Sequence, residues 1–138
     1  MSEALQIFIG YDPREHEAYD VADHSIRRHA SQPVLIHPLR LANLGHILQR
    51  PIERKDGKLW CPISEAPMAT EFACSRFLAP ILAQTGWALF LDPDVVVLEN
   101  IYEILAYADP TKAVMCGKHE HAGTEGTKMD GQIQTSYA

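Results

Sequence analysis

Two aspartates separated by one proline, Asp92-Pro93-Asp94, directly follow the apolar run Trp87-Ala88-Leu89-Phe90-Leu91. In an extended backbone, residues two apart point to one side. Two carboxylates on one side repel unless a cation lies between them. Hard oxygen ligands favour Mg²⁺ or Mn²⁺, which usually also take substrate phosphates and water. The plain alternative is an exposed Asp-Pro-Asp turn after a strand. The apolar run before it, Val95-Val96-Val97-Leu98 after it and the lack of glycine in the turn favour the cation, with Asp92 and Asp94 as its ligands.

Three other places carry polar groups that could serve such a site. Arg76 is the last arginine of the chain and lies on the polar flank of a helical pattern upstream of the acidic pair. A guanidinium there can hold a carboxylate or a phosphate in bidentate fashion, or it is simply a solvated helix residue. Gly10, Tyr11 and Asp12 follow the first apolar run. Gly10 permits close approach of a ligand. Asp12 can accept from a base or ribose, and it also suits a helix N-cap. His119 and His121 flank Glu120; two histidines two apart can chelate a metal, although a pair without a third ligand is more often plain polar detail. Lys128 to Gln132 reads as a polar binding loop. The remaining histidines, His16, His24, His29, His37 and His46, read as structural or exposed.

The elements that must position these groups follow from periodicity. Leu5 to Ile9 reads as a strand. Pro13 suits a first helical turn, and the helix runs to about His29, with Ala18, Val21, Ala22, Ser25 and Ile26 as its buried face. Val34 to His37 is a second strand, parallel to the first if the crossover rule holds. Leu41 to Gln49 is expected as a short helix. Arg50 to Pro67 is expected as a long exposed loop, with room for a hairpin at Lys55-Asp56-Gly57. Thr70 to Gln84 is expected as a second main helix, buried through Cys74, Phe77, Leu78, Ile81 and Leu82, with Pro80 as a kink and Gly86 near its end. The strand before the acidic pair follows. Asn100 caps a short helix over Ile101 to Tyr107, and Lys112 to Cys116 is a last strand. After Gly117 the chain is polar and glycine-rich through Met129. Alternating strands and helices imply an α/β fold with a mostly parallel sheet, whose ligands bind beyond the carboxyl ends of the strands.

The 138 residues suffice for one domain with one core, assigned here to residues 1–138. Lys and Arg number 12 against 18 Asp and Glu, and no basic stripe interrupts them, which argues against nucleic acid as a partner. No apolar run reaches the ~20 residues of a membrane helix, no signal peptide opens the chain, and a cytoplasmic setting is the expectation. Cys61, Cys74 and Cys116 have no metal-site spacing and read as reduced, buried thiols.

Taken together, Glu71-Phe72-Ala73-Cys74-Ser75-Arg76-Phe77-Leu78-Ala79-Pro80 followed by Trp87 to Val97 resembles the nucleotide-sugar glycosyltransferases of the GT-A fold, specifically the family 8, galactosyltransferase and glycogenin-like group. The specific part of the likeness is residues 70–98. It implies a Rossmann-like GT-A fold and transfer of a sugar from a nucleotide diphosphate donor, usually UDP-linked, with Mn²⁺ or Mg²⁺. The acceptor, whether glycan, lipid or protein, is open. By likeness, Asp92 and Asp94 match the metal motif, Asp92 also lies near the ribose, Gly10 and Asp12 lie near the base, and Arg76 braces donor and acidic motif. The family's metal-binding histidine and phosphate-contacting lysine lie far downstream of the motif. This sequence ends 44 residues after Asp94, and a longer natural chain is the expectation. Phe90 to Val96 also resembles the first motif of haloacid-dehalogenase phosphohydrolases, with Asp92 as nucleophile. A third reading is a non-catalytic nucleotide-sugar-binding fragment.

Overall fold

The computed structural model describes residues 4–48 and 51–118. In chain order its regular elements are β1 (Leu5–Gly10), α1 (His16–His29), β2 (Val34–Leu39), β3 (Glu53–Lys55), β4 (Lys58–Cys61), β5 (Ala66–Met68), α2 (Ala79–Ala83) and β6 (Ala88–Leu91), with short 3₁₀ turns between them. Two compact units result, Met1–Gln49 with Glu71–Ala108, and Arg50–Thr70 with Asp109–Ala138.

The first unit is a mixed α/β structure: a small parallel sheet of three strands, ordered β2-β1-β6, flanked by helices. β1 is its centre, and its near-continuous apolar run is explained by cover on both faces. Leu5, Ile7 and Ile9 point to one side and pack with Ala22 and Ile26 of α1. Phe8 points to the other and packs with Leu39 and with Ala79 and Ala83 of α2. On that second side Gln6 also donates from Nε2 to the Ala83 carbonyl at 3.1 Å.

The first helix begins as expected. Asp12 caps a 3₁₀ turn over Pro13–Glu15, which feeds α1. Its buried face is narrower than the pattern implied: Ala22, Ser25 and Ile26 are buried, whereas Val21 is exposed. The second main helix differs more. Over 70–84 the chain forms turns, a 3₁₀ segment Ser75–Leu78 and only one α-helical stretch, in which Pro80 occupies the first turn. Proline is tolerated there because its missing N–H would have no intrahelical acceptor. The expected stripe holds only in part: Cys74, Leu78 and Leu82 are half-buried, and Leu82 packs against the core. Phe77 and Ile81 are 76% and 62% exposed, while Ser75, Ala79 and Ala83 face inward. Small residues four apart let the backbone approach the sheet closely, and Phe77 and Ile81 are left outside. The helix ends at Ala83 rather than near Gly86. Gln84 has φ 63° and ψ −50°, and the Thr85 N–H donates to the Ala83 carbonyl at 2.7 Å, forming a γ-turn.

After β6, Val95 and Val97 pack on the core side while Val96 and Leu98 are exposed, an extended alternation without a ladder. This segment is tied down by hydrogen bonds. Val97 donates to Ser25 Oγ at 3.0 Å. Asn100 caps the 3₁₀ turn Ile101–Tyr107 and also accepts from Ser31. The Tyr102 hydroxyl donates to the Pro33 carbonyl and accepts from the Leu5 N–H.

The second unit corrects the expected exposed loop. β3, β4 and β5 form an antiparallel sheet. Its first turn is the hairpin at Asp56-Gly57, both at positive φ (51° and 76°), as a type I′ turn requires. Pro67 lies in β5, an edge strand, where a missing N–H is tolerated. Leu41–Asn43 is a 3₁₀ turn rather than a longer helix, and Lys112 to Cys116 forms no strand. Cys61 is buried, Cys74 half-buried and Cys116 exposed.

Candidate functional site

The carboxyl ends of β2, β1 and β6 bring several of the sequence-selected residues to one rim of the parallel sheet. β1 and β6 pair in register up to Ile9 opposite Leu91. The residues that follow are Gly10 on one strand and Asp92 on the other, so the two turns expected to share a ligand emerge side by side.

At the mouth of β1, Asp12 is only 1% exposed. Its Oδ1 accepts from the Arg14 N–H at 3.0 Å and from Arg14 Nε at 2.9 Å. Its Oδ2 accepts from Arg14 Nη2 at 2.6 Å and from the Glu71 N–H at 3.0 Å. Burial pushes this carboxyl up, but the hydrogen bonds from Arg14 and Glu71 outweigh it and hold Asp12 below its ordinary value. The carboxylate therefore does two jobs in the fold: it caps the turn into α1, and it clamps the start of the 71–78 segment to β1. The freedom that Gly10 offers is used by the next residue of that segment. A Cβ on Gly10 would lie 2.6 Å from the buried ring of Phe72. Tyr11 is buried under the guanidinium of Arg40, 3.8 Å above its ring, and meets Tyr19 edge-on.

At the mouth of β6 the situation is different. Arg76, carried by the segment that Asp12 clamps, lies near the rings of Phe72 and Phe90, its guanidinium carbon 5.3 and 5.4 Å from their centres. Its Nη2 stands 3.4 Å from Asp92 Oδ1, an ion pair not aligned as a hydrogen bond. Arg76 Nε and Asp92 Oδ1 are both buried atoms with no hydrogen-bond partner among the described residues. Burial pushes the Asp92 carboxyl up, Arg76 opposes that, and the negative charge of Asp94 adds to it. Pro93 is buried and Asp94 exposed.

One acidic residue at this rim was not singled out by sequence reasoning. Glu15 is half-buried, and burial, then the charges of Asp12, Asp94 and Asp92, push its carboxyl up. Its signal was its place, three residues after Asp12 and one turn above the sheet's carboxyl end. Arg40 was missed for a similar reason. It is the first residue after β2, and nothing in its local pattern distinguishes it.

An acceptor-only carboxylate oxygen that is buried without a donor fits a cation, and Asp92 and Asp94 are both hard oxygen donors. No group of three or more His, Cys, Asp or Glu suited to a metal occurs among the described residues. Among the described residues, the mouth of β6 itself offers two carboxylates, Asp92 and Asp94. His119, His121 and the Lys128–Gln132 loop lie outside the described residues.

The chain is similar to Protein CDI of Arabidopsis thaliana, 42% identical over 134 residues. That match takes in 96% of this chain and 48% of the relative, so the chain spans about half the length of the protein it matches. No family model matches the chain, and no solved structure does. Among the described residues, no helix is long and apolar enough to cross a membrane.

Proposed function

We propose that this chain carries the donor-binding part of a metal-dependent glycosyltransferase of the GT-A, family 8-like type. The reaction is transfer of a sugar from a nucleotide diphosphate, with UDP as the expected carrier, to an acceptor. The observation that carries the reading is the Arg76–Asp92 pair: a half-buried cation and carboxylate at the carboxyl end of β6, each with a buried atom left without a hydrogen-bond partner among the described residues. Polar groups in such a state are rare in folded proteins, and a bound ligand or ion is one way the set is completed.

Asp92 and Asp94 are the residues that would hold Mn²⁺ or Mg²⁺, with donor phosphates and water filling the other positions. Such an ion neutralises charge on the departing diphosphate. The rest is done by the chain itself. Arg76, kept in place by Phe72 and Phe90, sets the Asp92 carboxylate and presents its remaining N–H groups to an anion. Asp12 acts at one remove, by clamping the segment that bears Phe72 and Arg76. The mouths of β1 and β2, beside this anionic end, are where the nucleoside would lie.

Titration calorimetry with UDP-glucose and UDP-galactose, each with and without Mn²⁺, tests the reading. Binding is expected only with the metal, and Asp94→Ala is expected to abolish it. Equal binding with and without metal, or none at all, would refute it.

A further inference from the structure

The rim holds a second preorganised cation, at the opposite edge of the sheet from Arg76. Arg40 follows β2 directly, and its guanidinium lies 3.8 Å above the ring of Tyr11. Tyr11 is buried beneath it and braced by Tyr19, so the platform is fixed. Arg40 itself is exposed and forms no ion pair or side-chain hydrogen bond among the described residues. A guanidinium stacked on an aromatic face keeps its N–H edge free, because stacking uses the plane and hydrogen bonding uses the rim.

The strand order β2-β1-β6 separates this group from the acidic end by two strand spacings, roughly 10 Å. A nucleotide whose diphosphate sits at Asp92 and Asp94 and whose nucleoside extends across β1 therefore brings its base towards Arg40. The edge awaiting it donates hydrogen bonds and accepts none. Such an edge matches the carbonyl oxygen at position 4 of uracil or position 6 of guanine, and meets unfavourably the amino group that stands at the same position in cytosine or adenine.

From this layout we infer that Arg40, laid on Tyr11, is the base-reading residue of the site and selects nucleotides whose base carries a carbonyl, not an amino group, at pyrimidine position 4 or purine position 6. The inference rests on the nucleotide-sugar reading above and adds a specificity determinant to it.

Titration calorimetry of the whole chain with UDP, GDP, ADP and CDP in the presence of Mn²⁺ tests it. The parent chain is expected to bind UDP or GDP about tenfold more tightly than ADP and CDP. The UDP and GDP arms identify which of the two bases is taken. In Arg40→Ala and Arg40→Gln the affinity for UDP or GDP should fall several-fold and that preference should shrink to about twofold or less, the remaining binding still requiring Mn²⁺. Arg40→Lys keeps the charge but loses the fork, and should recover affinity without recovering the preference. An exposed side chain is removed in each case, and thermal unfolding checks that the fold is kept. A parent chain that binds all four nucleotides alike, or an Arg40→Ala variant that keeps the preference, overturns the assignment of Arg40 and leaves the donor-site reading standing. A parent chain that binds none of the four overturns both.

Discussion

Asp12 and Asp92 are the same residue type at the ends of neighbouring parallel strands, yet their surroundings differ in every respect that matters. Asp12 is sealed from water and accepts four hydrogen bonds, three from Arg14 and one from the Glu71 backbone. Asp92 is half-exposed, faces Arg76 at 3.4 Å without a hydrogen bond, and has a buried oxygen with no hydrogen-bond partner among the described residues. The two carboxyls are accordingly displaced in opposite directions, Asp12 down and Asp92 up. A satisfied carboxylate contributes to folding. An unsatisfied one is tolerated by the fold and available to a ligand. The pair shows why the acidic residues of an α/β rim cannot be assigned roles from position alone.

Removing each carboxylate should separate the two roles. Asp12→Ala loses the cap, the Arg14 pair and the tie to Glu71 together, and is expected to cost about 3 kcal/mol. Asp92→Asn is expected to stay within about 1 kcal/mol of the parent at neutral pH, or to be more stable. Urea unfolding measures both, and equal losses would erase the distinction.

The tie from Asp12 matters because it seats Phe72 against Gly10. Gly10→Ala places a methyl group into that ring and is expected to cost about 2 kcal/mol. In a Phe72→Leu background the same change should cost clearly less, a coupling that a double-mutant cycle reads directly. Additive losses would mean that Phe72 does not lie on Gly10.

Acid titration sharpens the contrast further, since the two groups act with opposite sign. Asp12 has a folded pKa below its unfolded one. Its contribution is complete above the ordinary carboxylate range and is lost as pH falls through the lowered value. Asp92 has a raised folded pKa, so the native state holds a proton that the unfolded chain has released. Stability therefore drops as pH rises through a window just above the ordinary value. Asp92→Asn should thus gain on the parent as pH rises through that window, and the gain should fade below it. Urea midpoints across the acidic range check this; a difference independent of pH would mean that Asp92 is not perturbed.

The parts of this arrangement that could be read from sequence are those where one residue decides. Asp12 before Pro13, Asn100 before Ile101 and Asp56-Gly57 each announce a cap or turn through their own chemistry, and all three are found. Leu5 to Ile9 and Ala88 to Leu91 were legible because strands covered on both faces read as unbroken apolar runs. The 70–84 segment misled because apolar bulk was counted, whereas Ser75, Ala79 and Ala83 are buried for being small. β4 and β5 were hidden by prolines at positions 62 and 67, and strand pairing is a non-local choice that local composition does not reveal. At the site, Asp92 and Arg76 were placed together correctly. That Asp12 also ties down the 71–78 segment could not be foreseen, because the donor there is a backbone N–H 59 positions away.

The smallest effect is expected away from the rim. Gln84 occupies a strained positive-φ turn after α2, and Gln84→Gly should raise stability by about 1 kcal/mol without touching either aspartate. An unchanged urea midpoint would mean that the turn carries no strain.

The most direct test of the central claim is calorimetric titration of UDP with Mn²⁺ into Asp92→Asn, beside the parent chain. If the mouth of β6 is the donor site, the variant keeps its fold and its thermal midpoint but loses metal-dependent UDP binding. If the variant binds UDP and Mn²⁺ as the parent does, Asp92 is not a ligand and the assignment of the site fails.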